Sequence, residues 1–178
     1  TIIARHASPL APYPSKTTIW LDEWAAKDGN RVYMAQRDGA GPWNTLTYAQ
    51  MRTAARSVAA ALLTRSLSAN RPIAFLSGND LGQAVVSFAA QYIGVPFAPV
   101  SPAYSLMSED FGKLRYVLAQ LNPGLIYVSS GKPFAKALAA VVPADVEVVY
   151  AVDPPPGRDK VTALSELMKT VVTPSVDA

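Results

Sequence analysis

Four short segments hold side chains that could do chemistry, and each suggests a different kind. Ser129-Ser130-Gly131-Lys132 offers backbone N–H groups and a lysine at an expected helix start, which is the equipment of a phosphate loop. Its spacing departs from that motif: six residues separate Gly124 from Gly131 where the motif has about four, and Pro133 stands where the metal-binding Ser or Thr belongs. Pro at the first helical position is a sufficient structural reason for Pro133. Ser77-Gly78-Asn79-Asp80-Leu81-Gly82 joins a strand to a helix where a dinucleotide loop would sit. Gly78 and Gly82 do not supply G-x-G-x-x-G, and a tight turn with a helix cap accounts for the segment. Glu109 and Asp110 are adjacent, so they cannot face one another as a general acid and base. Behind Ser108 they read as first-turn charges answering a helix dipole. Ser101-Pro102-Ala103-Tyr104-Ser105 is a long, rigid, hydroxyl-bearing connection at a strand's carboxyl end, expected to be structural first and ligand-contacting second.

The remaining composition removes whole classes of function. With no cysteine there is no disulfide framework, no thiolate zinc site and no cysteine nucleophile. His6 is the single imidazole, and it lies in an arm beside Ser8, Pro9, Pro12 and Pro14, a poor place for a Ser-His-Asp triad. The net charge is only +3 and the basic residues are scattered singly, so no nucleic-acid footprint is expected. The most apolar stretch, Ala84 to Val100, is interrupted by Ser87, Gln91, Gly94, Pro96 and Pro99 and is not a membrane span; a soluble protein is expected. The first fifteen residues show no apolar core of a secretory signal, and Thr1 in place of Met marks a start that is processed, renumbered or cut. Half of the 178 residues are hydrophobic and 16% are charged, which excludes a disordered chain. At this length about 70% of the unfolded chain's surface can be buried.

The elements that must position these segments follow from periodicity. Thr1 to Ser15 is Pro-rich and aperiodic, and is expected as extended chain packed over a surface. Ile19, Trp20, Trp24 and Ala25 form the apolar stripe of a short helix closing at Asp28-Gly29, with the tryptophans as core anchors. Arg31 to Arg37 and Trp43 to Leu46 make a hairpin around Asp38-Gly39-Ala40-Gly41-Pro42. Thr47 with Gln50 is a capping box, worth about 1 kcal/mol, opening a helix whose buried face carries Met51, Ala55, Val58 and Leu62. Arg52 and Arg56 leave on its other face, read as solvated, with a charged partner surface as the alternative.

From Arg71 strands and helices alternate. Pro72 to Ser77, Val95 to Val100, Leu125 to Ser129 and Val146 to Val152 are apolar strands. Between them lie a helix carrying Leu81, Val85, Phe88, Ala89 and Tyr92, a helix carrying Leu114, Val117, Leu118 and Leu121, and a helix from Phe134 to Val142. The expected fold is α/β: a parallel sheet of about four strands with helices on both faces, plus an N-terminal arm, helix and hairpin. Right-handed crossovers follow. The organisation is an N-terminal part over residues 1–70, a parallel core of the same domain over 71–152, and a linker, short helix (Ala163 to Lys169) and aperiodic tail over 153–178.

Several strings resemble the N-terminal region of the adenylate-forming acyl-CoA synthetases, the ANL superfamily, and most closely the feruloyl-CoA synthetase type. They are Met34-Ala35-Gln36-Arg37-Asp38, Leu46-Thr47-Tyr48-Ala49, Asn79-Asp80-Leu81, and above all Pro96-Phe97-Ala98-Pro99-Val100-Ser101-Pro102-Ala103-Tyr104-Ser105-Leu106. Asp110-Phe111, Lys113-Leu114-Arg115, Pro123-Gly124-Leu125, the run from Ala137 to Val146, and Pro156-Gly157-Arg158 continue the likeness over nearly the whole chain. Gly78 and Gly82 depart from it, standing where that type would carry Glu.

The resemblance implies an enzyme that activates a hydroxycinnamic acid with ATP to an acyl-adenylate, releasing pyrophosphate, and passes the acyl group to coenzyme A. It implies ATP, Mg²⁺ and coenzyme A for the complete enzyme and none bound by these residues alone. The family's phosphate loop, nucleotide-binding motifs and catalytic lysine belong to later segments, so no residue here is expected to be catalytic and the chain alone is expected to be inactive. Ser101 and Tyr104 are expected to border the acyl or coenzyme A entrance. The expected partner is the remainder of the same polypeptide, with a homodimer through exposed apolar surface as a further expectation, and the expected location is cytoplasmic. A free-standing nucleotide- or cofactor-binding or interaction module is the alternative reading.

Overall fold

The runs read as buried strands lie side by side in one parallel sheet. In the computed structural model, which describes residues 3–177, these are β3 (Ile73–Phe75), β4 (Phe97–Pro99), β5 (Leu125–Ser130) and β6 (Glu147–Val152). A fifth strand, β7 (Val161–Ala163), extends the sheet to the order β4-β3-β5-β6-β7, all neighbours parallel. It falls inside the stretch expected as linker and helix; three residues are too few to carry an alternation signal. The short helix there, α7 (Leu164–Leu167), starts one residue later and ends two residues earlier than expected. The hairpin forms as read, from β1 (Val32–Arg37) and β2 (Trp43–Thr47).

Alternation along each strand sorts the core into two faces. Ile73, Phe75, Leu125, Tyr127 and Val149 meet α1 (Thr18–Asp28), α2 (Tyr48–Leu62), α3 (Leu81–Tyr92) and α7. Ala74, Leu76, Ile126, Val128 and Val148 meet α5 (Gly112–Leu121) and α6 (Gly131–Val141). Each large apolar side chain buried this way contributes roughly 1.5–3 kcal/mol. Thr47 and Gln50 make the capping box in both directions. The crossover through α3 places β4 on one side of β3. The next, through α4 (Ala103–Leu106) and α5, returns to the other side at β5. The direction of winding reverses between β3 and β5, and their carboxyl ends are where open α/β sheets characteristically hold ligands.

Long-range polar contacts correct several local expectations. The Arg56 side chain is not solvated, being 12% exposed, whereas that of Arg52 is 41% exposed, and both are paired. Arg52 Nε is 2.6 Å from Asp22, and Arg56 donates two hydrogen bonds, 2.5 and 2.7 Å, to the Asp177 carboxylate. The Arg56 hydrogen bonds hold the Asp177 carboxyl below the usual carboxylate range. The aperiodic tail is therefore docked: Pro174–Val176 forms a 3-10 turn that buries Val176 against α2. Asp22 also accepts a hydrogen bond from Tyr92 at 2.8 Å, turning α1 so that Thr18 and Leu21 are its buried residues. Trp20 is consequently 48% exposed and Trp24 half-buried, neither being the core anchor that periodicity suggested.

The arm is not packed over a surface along residues 3–13, which are exposed, because Pro9, Pro12 and the lack of an apolar period leave them no face to bury. Thr1, Ile2 and Ala178 lie outside the described residues. At the amino end of the sheet, Arg65 grips Glu147 through two hydrogen bonds of 2.7 and 2.9 Å while Thr162 adds one of 2.6 Å. Burial pushes the Glu147 carboxyl up, but these bonds and the Arg65 charge outweigh it and hold the group below its ordinary value.

Candidate functional site

Three of the four segments singled out by residue type gather at the carboxyl edge of the sheet. Asp80 is the N-cap of α3, accepting from Gln83 N at 2.8 Å. The same oxygen accepts from the Tyr127 hydroxyl at 2.6 Å, and the other from Ser77 Oγ at 3.3 Å. From the hairpin, Gln36 Oε1 accepts from Leu81 N at 3.0 Å, so two of the orphan donors of α3 are taken by side chains. A Cβ at Gly82 would overlap the Tyr127 hydroxyl and come within 2.9 Å of Leu164. Gly82 therefore serves close packing, not a dinucleotide. Burial, then the Asp80 hydrogen bond and charge, push the Tyr127 hydroxyl far above its ordinary value, so its proton stays fixed. Ser77 is buried beside a carboxylate already occupied by two stronger donors, which leaves no base to activate it. Beside the cap a groove of about 480 Å³ opens between β1 and α3, walled by Gln36, Asn79, Gln83 and Ser87 among others, with Gln83 Oε1 buried and without a partner.

The second junction, Ser129 to Lys132, is closed. The helix begins at Gly131, so Pro133 is its third residue rather than its first, still within the turn whose N–H groups need no helical partner. Gly131 N donates to Asp153 O at 2.7 Å, and a Cβ there would overlap Pro155 N and Asp153 O. Lys132 Nζ stands 3.1 Å from Asp153 Oδ1, and Ser130 Oγ 3.4 Å from Oδ2. The place a phosphate would need is filled by the chain's own linker and its carboxylate, with Asp153 held at φ 53°.

The loop after β4 lies alongside the first junction: Pro102 Cγ is 4.0 Å from the Cβ position of Gly78. It is not an irregular loop, since α4 begins at Ala103. Ser101 is exposed, and its carbonyl accepts from Tyr104 N at 3.0 Å. The Tyr104 ring packs on the second core with Lys113 Nζ 5.7 Å from its centre. Ser105 is buried with an unpartnered Oγ. Farther out, Asp110 Oδ1 accepts from Gly112 N and Ser108 Oγ, both at 3.0 Å. The Gly112 bond, then the Ser108 bond, hold its carboxyl below the ordinary range. The helix opens at Gly112, so Glu109 and Asp110 precede its first turn instead of occupying it.

His6 is exposed, and its Nδ1 accepts from Ser8 N at 3.2 Å. Among the described residues no group of three or more His, Cys, Asp or Glu could hold a metal ion, and no helix is long and apolar enough to cross a membrane. Sequence reasoning missed Gln36 and Tyr127; a polar residue in a hairpin strand and a tyrosine in an apolar one were the only traces of them.

The sequence profile of the AMP-binding enzymes matches residues 21–176. Among solved structures, acetoacetyl-CoA synthetase from Streptomyces lividans is similar with a TM-score of 0.71 at 15% identity, over 89% of this chain and 26% of that one. The luciferase-like enzyme of the nonluminescent mealworm Zophobas morio gives 0.66 at 19% identity, over 94% and 38%. A fatty acid AMP ligase from Legionella pneumophila gives 0.62 at 16%, over 85% and 23%. At these identities the likeness shows the fold. The chain spans between 23% and 38% of the length of these three structures. No curated protein matches it in sequence.

Proposed function

The chain belongs to the AMP-binding enzyme family, and on that premise we propose that it is the N-terminal part of an ATP-dependent ligase that makes aryl-CoA thioesters from hydroxycinnamic acids of the ferulate type. In the first step a carboxylate oxygen of the acid forms a bond to the α-phosphorus of ATP and the bond to pyrophosphate breaks. In the second, the sulfur of coenzyme A bonds to the acyl carbon, AMP leaves, and the thiol proton passes to solvent. The observation that carries the reading is the Pro96 to Leu106 string. It lies along β4 and the loop at the carboxyl edge, where ligands of open α/β sheets collect. Ser101 and Tyr104 are assigned to the border of the acyl or coenzyme A entrance. Mg²⁺ would neutralise phosphate charge, and its ligands are assigned to the remainder of the polypeptide, together with the phosphate loop. The cytoplasm, where ATP and coenzyme A are at hand, is the proposed location.

The test is to read the gene past the codon for Ala178 and to assay both the longer product and the 178-residue chain for ferulate-dependent ATP–pyrophosphate exchange. The expected result is exchange by the longer protein only, faster with ferulate than with palmitate or acetate. A stop codon after Ala178, or exchange by the 178 residues alone, would overturn the fragment reading. A preference for palmitate or acetate would overturn the aryl assignment.

A further inference from the structure

On the face of the molecule that carries α1, the hairpin and α3 there is a second cavity, of about 290 Å³, walled by Trp20, Trp24, Tyr33, Tyr48 and Phe88. The rings form a chain around it. Trp24 stacks on Tyr48 at 5.7 Å and 25°, Tyr33 meets Tyr48 at 4.6 Å, and Phe88 meets Tyr33 edge-on at 5.9 Å and 68°. Trp20 stands at the mouth, and the Thr17 hydroxyl, hydrogen-bonded to Gln91, closes one end. A cluster that served packing alone would bury these rings, yet Trp24, Tyr33, Tyr48 and Phe88 are half-buried around open space. The wall carries no charged side chain. Outside it, Lys27 Nζ and Arg31 Cζ lie 4.7 and 5.3 Å from the centre of the Trp24 ring, and neither joins an ion pair among the described residues. The volume sits at the small end of ligand cavities, roughly 300 Å³, which suits one ring with a short tail and is too small for a nucleotide.

We propose that this pocket binds a flat, single-ring aromatic carboxylate, the ring stacked among Trp20, Trp24 and Tyr48 and the carboxylate directed toward the Lys27 and Arg31 side. Aromatic walls supply stacking in offset or edge-on geometry, and the unpaired cations favour an anion over a cation of the same shape. The inference stands independently of the ligase reading. Trp43 is its internal control: it is the third tryptophan, exposed on the hairpin with Arg37 Cζ 5.1 Å from its ring centre, and it is not part of the pocket's wall.

The test follows the three indole N–H signals of the nitrogen-15-labelled chain during titration with 4-hydroxyphenylacetate, with tyramine as the cationic analogue and hexanoate as the non-aromatic acid. The expected result is saturable shifts at Trp20 and Trp24 and none at Trp43. Binding should be about fivefold weaker in Trp20→Ala, as the loss of one aromatic pair implies, weaker for tyramine, whose charge Lys27 and Arg31 repel, and unchanged in Trp43→Ala. No shift at millimolar 4-hydroxyphenylacetate, equal shifts at Trp43, or an equal response to tyramine or hexanoate would overturn it.

Discussion

The two strand-to-helix junctions at the carboxyl edge start from similar sequence material and end differently. At Ser77 to Gly82 the helix is capped by its own Asp80, which a buried tyrosine from the neighbouring strand holds in place, and a groove stays open beside it. At Ser129 to Lys132 the helix start is packed under Asp153 and Pro155, and the lysine turns to a carboxylate of the same chain. Glycine is needed at both because another group comes too close for a Cβ: a tyrosine hydroxyl at Gly82 and linker backbone at Gly131. The lesson is that a Gly-rich strand-to-helix turn reports a close approach, and only the fold says whether a ligand or the protein itself makes it.

The difference between a yielding side chain and unyielding backbone sets the largest expected effect. Gly131→Ala should cost about 3 kcal/mol in urea unfolding, because the linker backbone has to move. A loss below about 1 kcal/mol would show that the second junction is looser than the first. Tyr127→Phe should cost about 2 kcal/mol, since it removes a donor to a half-buried carboxylate. In that background Gly82→Ala should be milder than in the parent chain, because the overlapping hydroxyl is gone. Purely additive losses would separate the two residues.

Alkali should sharpen the contrast next. Unfolded tyrosine releases its proton near 10.0, whereas folded Tyr127, through burial and its bond to Asp80, holds its proton to higher pH. The stability it contributes is complete below pH 10 and falls above it, by about 1.4 kcal/mol per pH unit. Tyr127→Phe should flatten that fall, and a remainder is left to Tyr92, which burial and Asp22 raise in the same sense, and to Tyr33, which burial and Tyr48 raise. The smallest effect belongs to the closed junction's ion pair. The Lys132 and Asp153 side chains are 70% and 46% exposed, so Lys132→Ala should change stability by no more than about 0.5 kcal/mol, and less in high salt.

Much of the architecture was legible because it rests on near neighbours in the chain. Uninterrupted apolar runs fixed the strands, of which the central β3 and most of β5 are buried on both faces while the edge strand β4 is only partly covered. Thr47 with Gln50 fixed one helix start through bonds spanning three residues, and the cap expected within Ser77 to Gly82 is made by Asp80. The strings resembling the adenylate-forming synthetases agree with the AMP-binding family to which the chain belongs, without showing what their side chains touch.

What only the tertiary structure decided depends on partners far apart in sequence. Tyr127 is 47 residues from Asp80, Arg65 is 82 from Glu147, and Arg56 is 121 from Asp177. A charged residue on an amphipathic helix reads as solvated until another segment supplies its counter-charge, as Asp177 does for Arg56. A three-residue strand such as β7 has no period of its own and exists because β6 offers it an edge. The orientation of α1 was likewise set by Asp22 turning inward to Arg52 and Tyr92, which left two tryptophans at the mouth and wall of a cavity instead of in the core. Sequence determined which backbone each segment adopts, because those choices are made by hydrogen bonds and side-chain periods within a few residues. The fold alone decided which side chains are satisfied, which cavities stay open and which glycines are indispensable, because those are settled by whatever other chain segments bring within contact distance.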